Sequence, residues 1–215
     1  MKLLMENWRK YLTEMGVGAF TGGKLQLFIP RTCPDEECSI QKFQDIKPVK
    51  NGNTAANKPW GGVWTSTANL ADSSSPNETD EEKQNPLSSK KIWTSGWNEW
   101  MKYEMPNWMN RQGILLKPTT SNIFHIENEK DLEELATEFP LKGEGSSFGF
   151  FRGSSPIDYE KAFETYDAIH FGTTGGQSAY PDPGAWDVES TCWKDLSVLK
   201  IIGTVSVNFE KPSWD

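Results

Sequence analysis

The alternation Lys24-Leu25-Gln26-Leu27 passes into the apolar run Phe28-Ile29-Pro30, which predicts a strand that stops at Pro30 and leaves Arg31 at its exit. A second strand is expected over residues 63–67, Val-Trp-Thr-Ser-Thr, where β-branched and aromatic residues follow Gly61-Gly62. On such a strand Thr65 and Thr67 share one face and Ser66 takes the other. Trp93, Trp97, Trp100 and Met101 recur at helical spacing until Pro106 stops the run. Residues 113–116 and 122–126 predict a broken strand pair, and residues 129–139 a helix with Leu132 and Leu135 turned inward. Another helix is expected over 156–165, capped by Ser155 with Pro156 in its first turn, and then a strand over 166–171. Ala185-Trp186-Asp187-Val188-Glu189-Ser190-Thr191 reads as the start of a late strand, and residues 196–209 as strongly β. With a period of two, Asp187 and Glu189 share one face while Val188 turns to the core. In isolation such a pair also fits a solvated strand end whose charges deter edge pairing.

Other stretches carry no core pattern of this kind. Residues 1–14 form an amphipathic helical pattern with Leu4, Trp8, Tyr11 and Leu12 on one face. Glu6, Arg9 and Lys10 interrupt any apolar centre, so this is not a secretory signal. Gly16, Gly18, Gly22 and Gly23 then make a linker, so residues 1–23 are expected to be a helical leader and residues 24–215 a single domain. Residues 72–91 are rich in Ser, Asn and charge, with Pro76 and Pro86, and predict a disordered insertion. The Gly/Pro-rich residues 172–184 are expected to form a mobile lip ahead of Asp187.

Length and charge narrow the function classes. The chain has 215 residues, enough to bury a core without staples, and its ten Trp offset a low apolar content. A formal charge of −8 argues against a nucleic-acid binder, since phosphate contacts need a basic surface. The same acidity disfavours an enzyme acting on RNA ends. No apolar run approaches the roughly 18 residues of a membrane span. The three cysteines, Cys33, Cys38 and Cys192, do not make a disulfide framework. Cys33 and Cys38 lack a second Cys/His pair at ligand spacing, so no metal site is expected. His170 reads as a structural polar group, an available acid or base without an evident partner.

Two resemblances give these positions a chemistry. Arg31, the triplet Thr65-Ser66-Thr67 and the pair Asp187-x-Glu189 fall in the order of the Arg-Ser-Glu class of mono-ADP-ribosyltransferases. The stretch from Lys24 to Phe209 resembles that family's layout, which implies an α+β fold of two packed small β-sheets with flanking helices. This chain departs from the family in having Thr-Ser-Thr for Ser-Thr-Ser and Asp for the first Glu. Arg152 is out of order for the first role. The His-Tyr-Glu class fits less well, because neither His125 nor His170 precedes the second strand.

The resemblance implies NAD as substrate. Glu189 would face the cationic sugar formed when the ribose–nicotinamide bond breaks, and Asp187 would orient or deprotonate the acceptor. Ser66 with Thr65 or Thr67 would supply hydroxyls on the nicotinamide side, and Arg31 would bind the diphosphate. Gly61 and Gly62 would let the cofactor approach the backbone, Trp64 or Trp186 would stack on a flat ring, and Tyr180 would touch the acceptor. The leader resembles the capsid-targeting peptides of tailed bacteriophages, which a prohead protease cuts after Leu-x-Glu or Ile-x-Glu. Leu12-Thr13-Glu14 fits at the helix-to-linker junction, and Leu4-Met5-Glu6 fits inside the helix, so cleavage is expected after Glu14; the alternative is a helix docked on the domain. The partners implied are a host protein acceptor, the phage capsid and its protease, with neither nucleic acid nor membrane. The location implied is the virion interior and then the host cytoplasm, or the cytoplasm alone if no phage is involved. The alternative is a non-enzymatic virion or interaction protein that keeps the fold.

Overall fold

A computed structural model of the chain describes residues 24–29, 46–52, 58–71, 79–104, 106, 112–141, 157–172 and 188–208. In chain order the elements are β1 (Gln26–Phe28), β2 (Val63–Thr67), β3 (Asn69–Leu70), α1 (Asp80–Gln84), β4 (Ile92–Thr94), α2 (Gly96–Glu104), β5 (Gln112–Pro118), β6 (Ile123–Ile126), α3 (Glu129–Glu138), α4 (Tyr159–Thr165), β7 (Ala168–Phe171), β8 (Ser190–Trp193) and β9 (Leu199–Val207). The class is α+β. The backbone divides into two compact units. One takes Thr65–Pro118 and the chain from Lys200, together with β1; the other takes Asp45–Trp64 and Thr119–Leu199.

In the first unit the strands lie in the order β3-β4-β9-β5-β1-β2, and in the second in the order β2-β8-β7-β6. The expectation of two packed small β-sheets is corrected here, because β2 takes part in both runs. Its residues Val63 and Trp64 belong to the second unit and Thr65 to Thr67 to the first.

The first unit is built on β1. Gln26 and Leu27 pair antiparallel with Thr67 and Ser66 on one side, and Leu27 faces Leu115 of β5 on the other. Leu27, Ile29, Trp93, Met101, Leu115, Val205 and Val207 form its core, with Trp97 and Trp100 packed against it. Trp93 was expected in the helix, but it sits in β4, paired with Leu70 of β3 and Val207 of β9. The chain leaves that strand at Ser95, whose hydroxyl accepts the Asn98 amide at 3.2 Å, and α2 begins at Gly96. Trp97 and Trp100 then stack with ring centroids 4.9 Å apart. Residues 79–91 belong to the stretch expected to be disordered. They contain α1, started by a reciprocal capping box between Thr79 and Glu82.

The second unit is a β-α-α-β arrangement. Strand β6 runs parallel to β7, and β7 antiparallel to β8. The expected pairing of 113–116 with 122–126 is replaced by partners of other origin: β5 pairs with β1, and β6 with β7. Helix α3 starts at the predicted place, capped by Asn128 with Asp131 reaching back, and buries Leu132 and Leu135. Helix α4 starts later than expected, because its cap is Asp158 and not Ser155. Asn51 explains the shift: its side-chain oxygen accepts the Tyr159 amide at 2.7 Å, and its amide donates to Asp158 at 2.9 Å. The core gathers Ile126, Leu135, Ile157, Tyr159, Ile169, Phe171 and Cys192. No described helix is long and apolar enough to cross a membrane.

Candidate functional site

The register of the second unit creates the site. Parallel pairing sets His125 of β6 opposite His170 of β7, and antiparallel pairing sets His170 opposite Thr191 of β8. These three side chains therefore share one face, and one step of period two along each strand brings in Glu127, Gly172 and Glu189. Two imidazoles and two carboxylates converge on a patch that the linear chain spreads from residue 125 to residue 189.

His170 is the centre. It has no exposed surface, and its Nδ1 lies 2.9 Å from Thr191 Oγ1 and 3.5 Å from Glu189 Oε1. Its Nε2 faces the other way, 3.7 Å from Glu127 Oε1. The His125 ring stands beside it, with centroids 5.4 Å apart. Burial, reinforced by His125, pushes the His170 imidazole down to about 3, so it is neutral at ordinary pH. His125 is also lowered by burial, against a smaller opposing pull from Asp131. Glu127 is raised, first by burial and then by the carboxylates of Asp131 and Glu189. Gly172 makes the room: a Cβ there would fall 2.1 Å from Glu127 Oε2. The Glu127 amide donates to Asp131 Oδ2 at 2.8 Å, which ties this end of the patch to the cap of α3. Donor atoms of His125, Glu127 and His170 all lie within 4.8 Å of one another, a spacing from which a cation can be held.

Glu189 stands just before β8, with Val188 facing the core as predicted. Glu189 itself is fully buried, which corrects the picture of a solvated strand end. The cause is position: β8 lies between two other strands, and all four of its residues are buried. His170, expected to lack a partner, has Thr191 and Glu189 on one side and Glu127 on the other.

The remaining predicted positions divide. Thr65, Ser66 and Thr67 are all buried in the first unit, and the Thr65 hydroxyl donates to Gln26 Oε1 at 2.7 Å. Gly61 and Gly62 hold φ angles of 78° and 66°. A Cβ at Gly61 would meet the Pro48 carbonyl at 2.3 Å, and one at Gly62 the Trp193 carbonyl at 2.6 Å. These glycines thus serve the approach of the chain to its own backbone. Trp64 donates its ring N–H to the Gly61 carbonyl at 2.9 Å, and the Lys58 ammonium lies 5.1 Å from its ring centroid. Glu14, Arg31, Tyr180, Trp186 and Asp187 lie outside the described residues.

Glu127 was missed in the sequence. The signal was present as His125-Ile126-Glu127, the same period-two spacing that drew attention to Asp187 and Glu189. No protein-family model, no curated protein and no solved structure matches this chain.

Proposed function

We propose that the chain is an NAD-dependent mono-ADP-ribosyltransferase that modifies a host protein and is carried in a phage head by its amino-terminal segment. The observation that supports this reading is the complete burial of Glu189, beside a buried neutral imidazole, at the start of a strand. A carboxyl side chain withdrawn from water is costly unless its surroundings or its chemistry compensate. In such dry surroundings an oriented carboxylate steadies developing positive charge far better than in solvent. In the reaction the bond from ribose C1′ to the nicotinamide nitrogen breaks, and its electron pair leaves with nicotinamide. The sugar gains oxocarbenium character, which Glu189 stabilises, and the acceptor attacks C1′ while Asp187 takes its proton. Arg31 would bind the diphosphate, and Ser66 with Thr65 or Thr67 would supply hydroxyls. Tyr180 and Trp186 would meet the acceptor protein.

Labelled NAD incubated with the chain and host lysate tests this. Transfer to a protein band, lost in Glu189→Gln, is expected; absence of both transfer and NAD hydrolysis would remove the enzyme reading. The non-enzymatic alternative draws on the hydrogen bond from Thr65 to Gln26 and on the engagement of Trp64 with Lys58 and Gly61. Under that reading the chain associates with capsid and does not bind NAD.

A further inference from the structure

We propose that His125, Glu127 and His170 form a binding site for a divalent transition-metal ion of the zinc class, with Glu189 holding His170 in place from behind. The proposal goes beyond the transferase reading and does not rest on it.

The donor set is two imidazole nitrogens and one carboxylate oxygen, a combination that suits zinc and its neighbours. Magnesium and calcium prefer oxygen ligands alone. The three donors lie within 4.8 Å of one another, with His170 Nε2 and Glu127 Oε1 at 3.7 Å. Ligand bonds of about 2.0–2.2 Å in a tetrahedral site place donors roughly 3.4 Å apart. The cluster therefore needs a small inward closure, and His125 and Glu127, both partly exposed, have the freedom to supply it. His170 is the fixed member, since its side chain has no exposed surface.

Three features set this cluster apart from a chance grouping of polar residues. The first is the back of His170, where Nδ1 faces Thr191 Oγ1 at 2.9 Å and Glu189 Oε1 at 3.5 Å. A carboxylate behind an imidazole is the usual device for aiming the opposite ring nitrogen at a metal. The second is Gly172, where any side chain would occupy the place of the Glu127 carboxylate. The third is access: Glu127 keeps 41% of its side chain exposed while His170 has none, so the site opens on the Glu127 side. Three protein ligands leave a fourth position for water or a substrate oxygen.

The test uses the full chain without a histidine tag, stripped by chelator and titrated with zinc in a calorimeter, then with cobalt followed by visible absorption. One ion per chain is expected, unaffected by excess magnesium. His125→Asn and Glu127→Gln should each weaken zinc binding at least tenfold and change the cobalt spectrum, while circular dichroism shows the fold kept. These two positions are chosen because His170→Asn, in the buried centre, risks unfolding. Failure of the unmodified chain to bind zinc in stoichiometric amount would overturn the proposal. So would zinc affinities within twofold of the parent in both variants, or binding that persists in them and is lost in Cys33→Ser. NAD is absent throughout, so the result is independent of transferase activity.

Discussion

His170 Nδ1 lies 3.5 Å from Glu189 Oε1, and both side chains are sealed from solvent. A neutral imidazole against a buried carboxyl group gives Glu189 a fixed orientation. Glu189→Gln keeps the shape and replaces the carboxyl group with an amide. If the chain is the transferase proposed above, transfer of ADP-ribose and hydrolysis of NAD should both fall at least about 100-fold, the usual scale for losing an oriented electrostatic group. The far-ultraviolet circular dichroism should stay that of the parent. Unchanged NAD turnover in the variant would take Glu189 out of the reaction.

Gly172 separates packing from function. A methyl group at Gly172 would lie 2.1 Å from Glu127 Oε2, the far end of a half-exposed side chain that can swing away. Gly172→Ala should therefore cost little stability, under about 1 kcal/mol by urea unfolding. It should move Glu127 away from His170 and weaken zinc binding at least tenfold. A variant that binds zinc as the parent does would show that Glu127 has no need of the space above Gly172.

Local elements were legible in the sequence where a local rule governs them. Residues 63–67 form β2 because β-branched and aromatic residues follow two glycines, and α3 follows from Leu132 and Leu135 on one helical face. Trp93 misled because its spacing to Trp97 is helical, although β3 and β9 claim it for a strand. The α4 start was hidden for a similar reason: Asn51, more than a hundred residues earlier, stabilises Asp158 as the cap. The His125–His170 patch arises from parallel strand register, which no local pattern encodes. Burial of Glu189 depends likewise on which strands flank β8, so alternation along the chain gave its face but not its exposure.

Asp167 gives the second unit a dependence on acid. Its carboxylate is paired with the Lys194 ammonium and accepts from the Thr120 hydroxyl at 2.6 Å. The Lys194 contact first, then Thr120, holds its carboxyl below the usual carboxylate range. A lowered folded value means the stabilisation is complete above the unfolded value of about 3.9 and fades as pH falls through the folded one. Lys194 is partly exposed, so solvent screening limits the pair to about 1 kcal/mol. Asp167→Asn should thus be less stable than the parent by about that much at pH 7, and the gap should narrow progressively as pH falls below the unfolded value. Urea unfolding over that pH range measures it, and a gap that does not narrow at all would assign the loss to packing.

Cys192 offers a chemical probe of the core. Its thiol is free, fully buried and in one core cluster with Ile126, Ile169 and Phe171, and it donates to the Gly61 carbonyl at 4.0 Å. Burial pushes the thiol well above its ordinary range, so the reactive thiolate is suppressed. In a Cys33→Ser, Cys38→Ser background the native chain should leave a colorimetric disulfide reagent unreacted for hours at pH 8. One thiol per chain should appear at once in denaturant. Because Cys192 belongs to the same buried cluster as Ile169 and Phe171 on either side of His170, the reaction rate also reports opening of that region. If zinc occupies the His125, Glu127 and His170 site, adding it should slow the residual reaction in proportion to occupancy, since ligand binding favours the closed state. Rapid modification of the native chain would place Cys192 in a segment that opens readily.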